Sequence, residues 1–366
     1  MKRFWNVFFK TLIIIVITLA FLLGTLYAML MKFKNGPSET AKNMFITTIL
    51  ETGQLKFVAS LVCTPEEIKA IVDANSMKDM KTEVDSELIK VPISTAVEPD
   101  NIPGDNTDEA DEHIFDENGV CIEEISGRSF FAKMMIISNP AQISVGTTYP
   151  WGEYGKNLDV IVSECGGIGG VNGGAYVSTA NKGGSPLGVV VQDGNITYNE
   201  PDSLSGAYMV GFNTDNILII KNLEGMNSTR FSEYVVTEHI RDAIAFQDEA
   251  TDANNHFVPL IINGEARQLG GQGSGANPRT AIGQRADGSI LILVTDGRGT
   301  AGHLGATASD LIGIMMEYGA VNAANIDGGS SSSMVYKDVY EMSSVTFYYQ
   351  NSSWRLPTAF IVKPKK

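Results

Sequence analysis

The chain has 366 residues, 43% of them hydrophobic, enough for one large or two modest packed domains. Its formal net charge of -15 argues against nucleic acid as a partner, and any polyanionic substrate would have to be met by arginines focused locally in a cleft. Three cysteines, Cys63, Cys121 and Cys165, leave at least one thiol outside any disulfide and argue against a disulfide-dense scaffold.

In chain order, Lys2, Arg3 and Lys10 precede an uncharged run from Thr11 to Met31, long enough as a helix to span the hydrocarbon layer. No lipobox cysteine and no small-x-small cleavage site follows it, so residues 1–35 read as an uncleaved anchor with its N-terminus inside and the rest of the chain outside the cytoplasm. Residues 36–97 read as a membrane-proximal helical segment: Thr64-Pro65-Glu66-Glu67 is a helix entry, and Ile68, Ile71 and Val72 form one short apolar face. Residues 98–126 read as an acidic linker or long loop, since Glu98 to Glu124 is rich in Asp and Glu and holds no Lys or Arg. Its DNTDEADEHIFDENG stretch lacks the ligand order of an EF-hand loop, so neither a metal nor another cofactor is assigned.

Residues 127–366 offer β-rich runs at Phe130 to Ile137, Leu158 to Val162, Val189 to Val191, Ile217 to Ile220 and Val258 to Ile262. Glu233 to Phe246 is ambiguous between helix and strand. Ala281 to Arg285 and Ile290 to Thr295 flank an Asp-Gly turn and predict a hairpin that sets Arg279 and Asp296 at one sheet edge. Thr307, three residues before Asp310, opens a helix that Gly319 closes, and Val321 to Ile326 returns as a strand. The fold class is α+β: a substantial mixed β-sheet with packed helices, preceded by one transmembrane helix.

The chemistry concentrates at strand ends. Arg279, Asp296, Arg298 and Asp327 each follow or precede a predicted strand, and Gly328-Gly329-Ser330 offers backbone N–H groups to an anion. Upstream, CGGIGGVNGGAY places Asn172, a donor and acceptor in one side chain, beside Gly173 and Gly174. Each element alone has a structural reading: a common turn, a solvated charge, a packing glycine. Their co-occurrence carries the functional one. No Gly-x-Ser-x-Gly frames Ser330 to Ser333, so His303 is read as a loop donor or a satisfied structural group rather than as the base of a serine triad. No Gly-Lys-Ser/Thr ends GGQGSG, which sets aside a nucleotide phosphate loop.

From Arg128 to Val362 the sequence resembles the phosphodiester glycosidases related to the mannose-6-phosphate uncovering enzyme, a family with many bacterial members labelled exopolysaccharide-biosynthesis-like. The matching residues are Asn172-Gly173-Gly174, the Pro186 to Gly194 hairpin, Ile262-Asn263-Gly264, Arg279 to Gly283, Asp296-Gly297-Arg298 and Asp327 to Ser330. Ala175-Tyr176 departs from the two aromatic residues usual there. The resemblance implies hydrolysis of a sugar 1-phosphodiester at the anomeric carbon, on a phosphate-linked glycan or glycopolymer of the cell envelope. In that reading Arg279 and Arg298 hold phosphodiester oxygens, Asp296 or Asp327 is the base or electrostatic stabiliser, and Asn172, Gly173, Gly174, His303, Gly328, Gly329 and Ser330 contact substrate. Two other classes stay open: a glycan-phosphate binding or scaffolding protein without turnover, and a phosphodiesterase that cuts phosphorus from oxygen. The absence of any His-x-Asp or His-x-His pair counts against the two-metal site such a phosphodiesterase commonly uses.

Overall fold

The structure is a computed structural model and describes residues 2–52, 55–91, 113–249, 256–344 and 352–365. A helix from Lys2 to Lys34 leads, and its apolar stretch, mean hydropathy 2.6, buries none of its side chains in the rest of the protein. At about 1.5 Å per residue, 33 helical residues reach about 50 Å, more than the ~30 Å of a hydrocarbon core.

The segment that follows contains three α-helices, Glu39–Leu50, Lys56–Val62 and Pro65–Ala74. Ser38 caps the first, and Thr64 with Glu67 forms a reciprocal capping box on the third. Ile46, Ile49, Leu50, Ala59, Val62, Ile71 and Val72 close a small core of their own. Lys34 pairs with Glu67 at 2.8 Å, tying the end of the long helix to this bundle.

The body is α+β, with helices packed on three sheets, and every strand pairing among the described residues is antiparallel. The largest sheet has seven strands, in the order Val120–Ser126, Phe131–Ile137, Ile290–Thr295, Thr280–Arg285, Ala320–Asn325, Pro259–Ile262 and Glu265–Ala266. Within it Ile290–Thr295 is buried on both faces and reads as a nearly continuous apolar run, ILILVT. Ile290, Ile292 and Val294 face the main core, while Leu291 and Leu293 face Leu311 and Met315 of the helix Ala308–Glu317. That helix has the expected capping box, Thr307 with Asp310, and ends before Gly319 at φ 77. A five-stranded sheet holds Gly169–Asn172 between Ser333–Tyr336 and Thr358–Val362, and a second five-stranded sheet centres on Ile240–Gln247.

Three sequence expectations change. Leu158 to Val162 is the start of a helix, Leu158–Glu164, not a strand. Its Leu158, Ile161 and Val162 are buried at helical spacing against Ala359 and Ile361, and this period outweighs the β-branched content that suggested a strand. The last seven residues of the expected linker, Val120–Ser126, are the edge strand of the large sheet; Glu123 and Glu124 are tolerated because an edge leaves their side chains access to water. The ambiguous Glu233 to Phe246 divides into the end of a helix, Ser228–Thr237, and the start of a strand, Ile240–Gln247. The acidic DNTDEADEHIFDENG stretch falls mostly within 92–112, outside the described residues. Within its described end, the Asp116 carboxylate accepts from the N–H groups of Asn118 and Val120 and closes a turn.

Candidate active site at the strand ends

The site is built by register. Thr280 pairs with Val294 and Ala281 with Asn325, so Arg279, Asp296 and Asp327 emerge from neighbouring strands at one rim of the seven-stranded sheet. Two further ties seal that rim: the Arg279 N–H donates to Thr295 Oγ1 at 3.0 Å, and the Ile326 N–H donates to the Thr280 carbonyl at 2.9 Å. The strand Gly169–Asn172 of the second sheet ends at the same place, where Asn172 Nδ2 donates to the Asp327 carbonyl at 2.6 Å.

Asp327 is partly exposed, and burial of its carboxyl pushes the pKa from 3.8 up to about 7. The Ser331 hydroxyl, the Gly328 N–H at 2.9 Å and Arg298 oppose that push without cancelling it. An acid balanced near neutrality is suited to proton transfer. Tyr176 sits beside it: the hydroxyls of Tyr176 and Ser331 lie 2.9 Å apart, and burial together with the Asp327 charge raises the phenol's pKa.

Arg298 Nη1 donates to Ser330 Oγ at 2.6 Å, and Nε to Asn277 Oδ1 at 3.4 Å. The residue is exposed to solvent at its surface, yet protein crowds the guanidinium. That crowding and then Arg279 pull its pKa down, while Asp327 and Glu51 pull it up, so the four charges form one electrostatic group. Arg298 has a left-handed backbone, φ 55, in a loop held by its own N–H to the Leu304 carbonyl. Gly329, at φ 61, is required for the guanidinium's approach: a Cβ there would stand 2.6 Å from Arg298 Nη2.

Arg279 is buried and already paired. Its Nη2 donates to the Glu51 carboxylate and to the Gly275 carbonyl at 2.9 Å, and its guanidinium lies 5.0 Å from the Phe257 ring centroid. Glu51 belongs to the N-terminal three-helix bundle, at the C-terminal end of Glu39–Leu50, yet its side chain is only 3% exposed. The same carboxylate accepts from the Gly275 N–H and from Asn277 Nδ2, both at 2.5 Å, and Thr48 Oγ1 accepts from the Ala276 N–H at 3.0 Å.

Asp296 faces His303 rather than open space. One carboxylate oxygen accepts from the Phe131 N–H at 2.7 Å, and the other lies 2.7 Å from His303 Nδ1. This pairing orients the imidazole through Nδ1 and directs Nε2 away from the carboxylate.

Several expected substrate contacts have structural partners instead. Asn172 is fully buried; its Oδ1 accepts from Thr280 Oγ1 at 2.8 Å and from the Ser333 N–H at 3.2 Å, which leaves it as a clamp between the two sheets. The N–H groups of Gly173 and Gly174 bond to Thr358, and a Cβ on Gly174 would meet the Ala245 carbonyl at 2.3 Å, so these glycines serve close packing. The Gly328 and Gly329 N–H groups bond to Asp327 Oδ1 and the Pro278 carbonyl, so neither is free for an anion in this conformation. Sequence reasoning gave no role to Glu51 or Asn277, noted Tyr176 only as a departure from the family pattern, and set Ser331 aside with the serine triad. Asn277 and Ser331 lay beside noted motifs, but nothing local marks Glu51, 228 residues from its partner.

The family model described as phosphodiester glycosidase matches residues 166–363, more than half of the chain, and the protein belongs to that family. A stretch of 64 residues is 41% identical to the SPbeta prophage-derived uncharacterized protein YomE of Bacillus subtilis (strain 168); it covers 18% of this chain and 10% of that protein, so the chain spans a small part of this relative. Among solved structures, the zebrafish N-acetylglucosamine-1-phosphodiester alpha-N-acetylglucosaminidase catalytic domain, auto-inhibited by its pro-peptide, aligns at 17% identity and a TM-score of 0.49, covering 67% of this chain and 82% of that one. A hypothetical protein from Synechocystis aligns at 16% identity and a TM-score of 0.44, covering 66% and 61%.

Proposed function

We propose that this protein is a membrane-anchored, extracytoplasmic hydrolase that cleaves the glycosidic bond of a sugar 1-phosphodiester in a cell-wall or exopolysaccharide glycopolymer. Family membership supports the reaction class, and one observation carries the assignment to this rim: a carboxyl titrating near 7, Asp327, grouped with the guanidiniums of Arg298 and Arg279. The long apolar helix supports the anchor. The division of the chain follows: an anchor over 1–35, a helical membrane-proximal segment over 36–97, an acidic connection from 98, and a glycosidase domain that extends to 366 and is moved back from 127 to include Val120–Ser126.

In this mechanism the phosphate monoester that leaves is an anion already stabilised by its own charge, so protonating it matters less than in an ordinary glycoside. Arg298 holds its oxygens, and Arg279 joins when Glu51 withdraws. Glu51 is a carboxylate in the hydrogen-bonding position a phosphodiester oxygen would take, with a guanidinium, an amide and a backbone N–H donating to it. Asp327 takes the proton of the attacking water as the glycosidic C–O bond opens. Asp296 acts through His303, holding its ring so that Nε2 can meet a sugar hydroxyl or the water.

Hydrolysis in oxygen-18 water tests the reaction. Label in the sugar is the expected result; label in the phosphate would mean cleavage between phosphorus and oxygen, and binding without product would mean a glycan-phosphate receptor. Protease treatment of intact cells tests the topology, and a protected C-terminal domain would refute it.

A further inference from the structure

A second cluster of ligand-type side chains lies away from the proposed active site. His113 Nδ1, Cys121 Sγ and a Glu123 carboxylate oxygen all lie within 4.8 Å of one another. Cys121 and Glu123 are two apart on the edge strand Val120–Ser126 and so share a face. His113 reaches them from the turn that Asp116 closes, where the Asp116 N–H donates to the Val120 carbonyl at 2.9 Å. We propose that these three side chains form a structural site for a divalent transition metal of the zinc class, which staples the segment before the first strand of the domain to that strand.

The geometry needs little change to accept an ion. Tetrahedral bonds of about 2.0–2.3 Å separate ligand atoms by roughly 3.3–3.8 Å. Glu123 Oε1 stands 3.8 Å from Cys121 Sγ and 2.5 Å from His113 Nδ1, so the His–Glu pair must open by about 1 Å on that same tetrahedral estimate, while His113 Nδ1 and Cys121 Sγ lie within 4.8 Å of each other. The imidazole, thiolate and carboxylate set suits a borderline ion, whereas calcium and magnesium take oxygen. Around the ligands stands the kind of support that metal sites use. Tyr318, the residue after the helix, donates its hydroxyl to Glu123 Oε2 at 2.8 Å, leaving Oε1 for the ion, and its ring lies parallel to that of His113, 6.1 Å between centroids. Cys121 is 7% exposed, while the side chains of His113 and Glu123 keep 18% and 32%, which gives an ion a route in and a water the fourth position. Binding displaces the Cys121 thiol proton to solvent and leaves the metal's oxidation state unchanged.

This site is independent of the glycosidase reading. Asp296 bonds to Phe131 at the far end of the neighbouring strand, whereas Cys121 pairs with Ile136 five residues on, about 17 Å away at the rise of an extended strand.

The test is cobalt(II) titration of the full-length chain, purified in detergent and stripped with chelator. The expected result is one equivalent of cobalt with a thiolate-to-cobalt charge-transfer band, displaced by zinc. The band should disappear in Cys121→Ser, persist in Cys63→Ser and Cys165→Ser, and require at least tenfold more cobalt in His113→Asn. Zinc should raise the thermal midpoint of the native chain and not that of His113→Asn, which checks the site even if Cys121→Ser folds poorly. No charge-transfer band, or one that His113→Asn leaves unchanged, would overturn the proposal and leave the cluster as a hydrogen-bonded tie between strand and helix.

Discussion

Replacing Asp327 with Asn keeps the shape of the side chain and removes its ionisation. Each pH unit by which a folded carboxyl is displaced corresponds to about 1.4 kcal/mol, so a displacement from 3.8 to about 7 sets a ceiling of roughly 4 kcal/mol on what ionised Asp327 costs the native state. The sign follows from proton counting. Between those two values the folded protein keeps a proton that the unfolded chain has released, so native stability falls as pH rises from about 4 to about 7 and is level beyond. Asn has no such loss. Asp327→Asn should therefore match the native chain in thermal midpoint near pH 4 and exceed it by several degrees at pH 8, while its turnover of a sugar 1-phosphodiester falls by about a hundredfold or more, the scale of a lost acid–base group. Thermal unfolding of both proteins in detergent from pH 4 to 8.5, beside initial rates, measures both halves. A midpoint difference that does not change with pH would refute the electrostatic argument, and an active variant would remove Asp327 from the chemistry.

Glu51→Gln removes the charge that holds Arg279. It should cost about 3 kcal/mol of stability, as breaking one side of a buried pair does, and lower KM severalfold if the carboxylate stands where substrate oxygens bind; an unchanged KM would make the pair purely structural. Gly329→Ala forces a methyl group toward Arg298 Nη2 and strains a backbone at φ 61, so kcat/KM should drop at least tenfold with little change in the far-ultraviolet spectrum. Asp296→Asn leaves the His303 ring without the carboxylate that orients it, and kcat/KM should fall by about tenfold or more in initial-rate assays. In the sheet, Leu293→Ala should cost about 2–5 kcal/mol, read by denaturant unfolding, since the side chain is fully buried under the helix Ala308–Glu317.

Local chemistry determined much of this protein. An uncharged run past Lys10 can only be a helix in lipid or in a core, and Asp287-Gly288 between two apolar runs yields the hairpin that sets Arg279 beside Asp296. The Thr307–Asp310 box and Gly319 bound a helix because caps act within one turn. The period of two in the strands and the glycines at turns are likewise short-range effects. Tertiary packing decided the rest. Leu158 to Val162 became helical because its apolar face had a sheet to lie on. Asn172 passed from candidate ligand to clamp because Thr280, Ser333 and the Asp327 carbonyl came from three other segments to meet it. Above all, the pairing of Glu51 with Arg279 joins residues 228 apart, and no periodicity, cap or turn encodes a contact that exists only once the three N-terminal bundle helices have docked on the sheet rim.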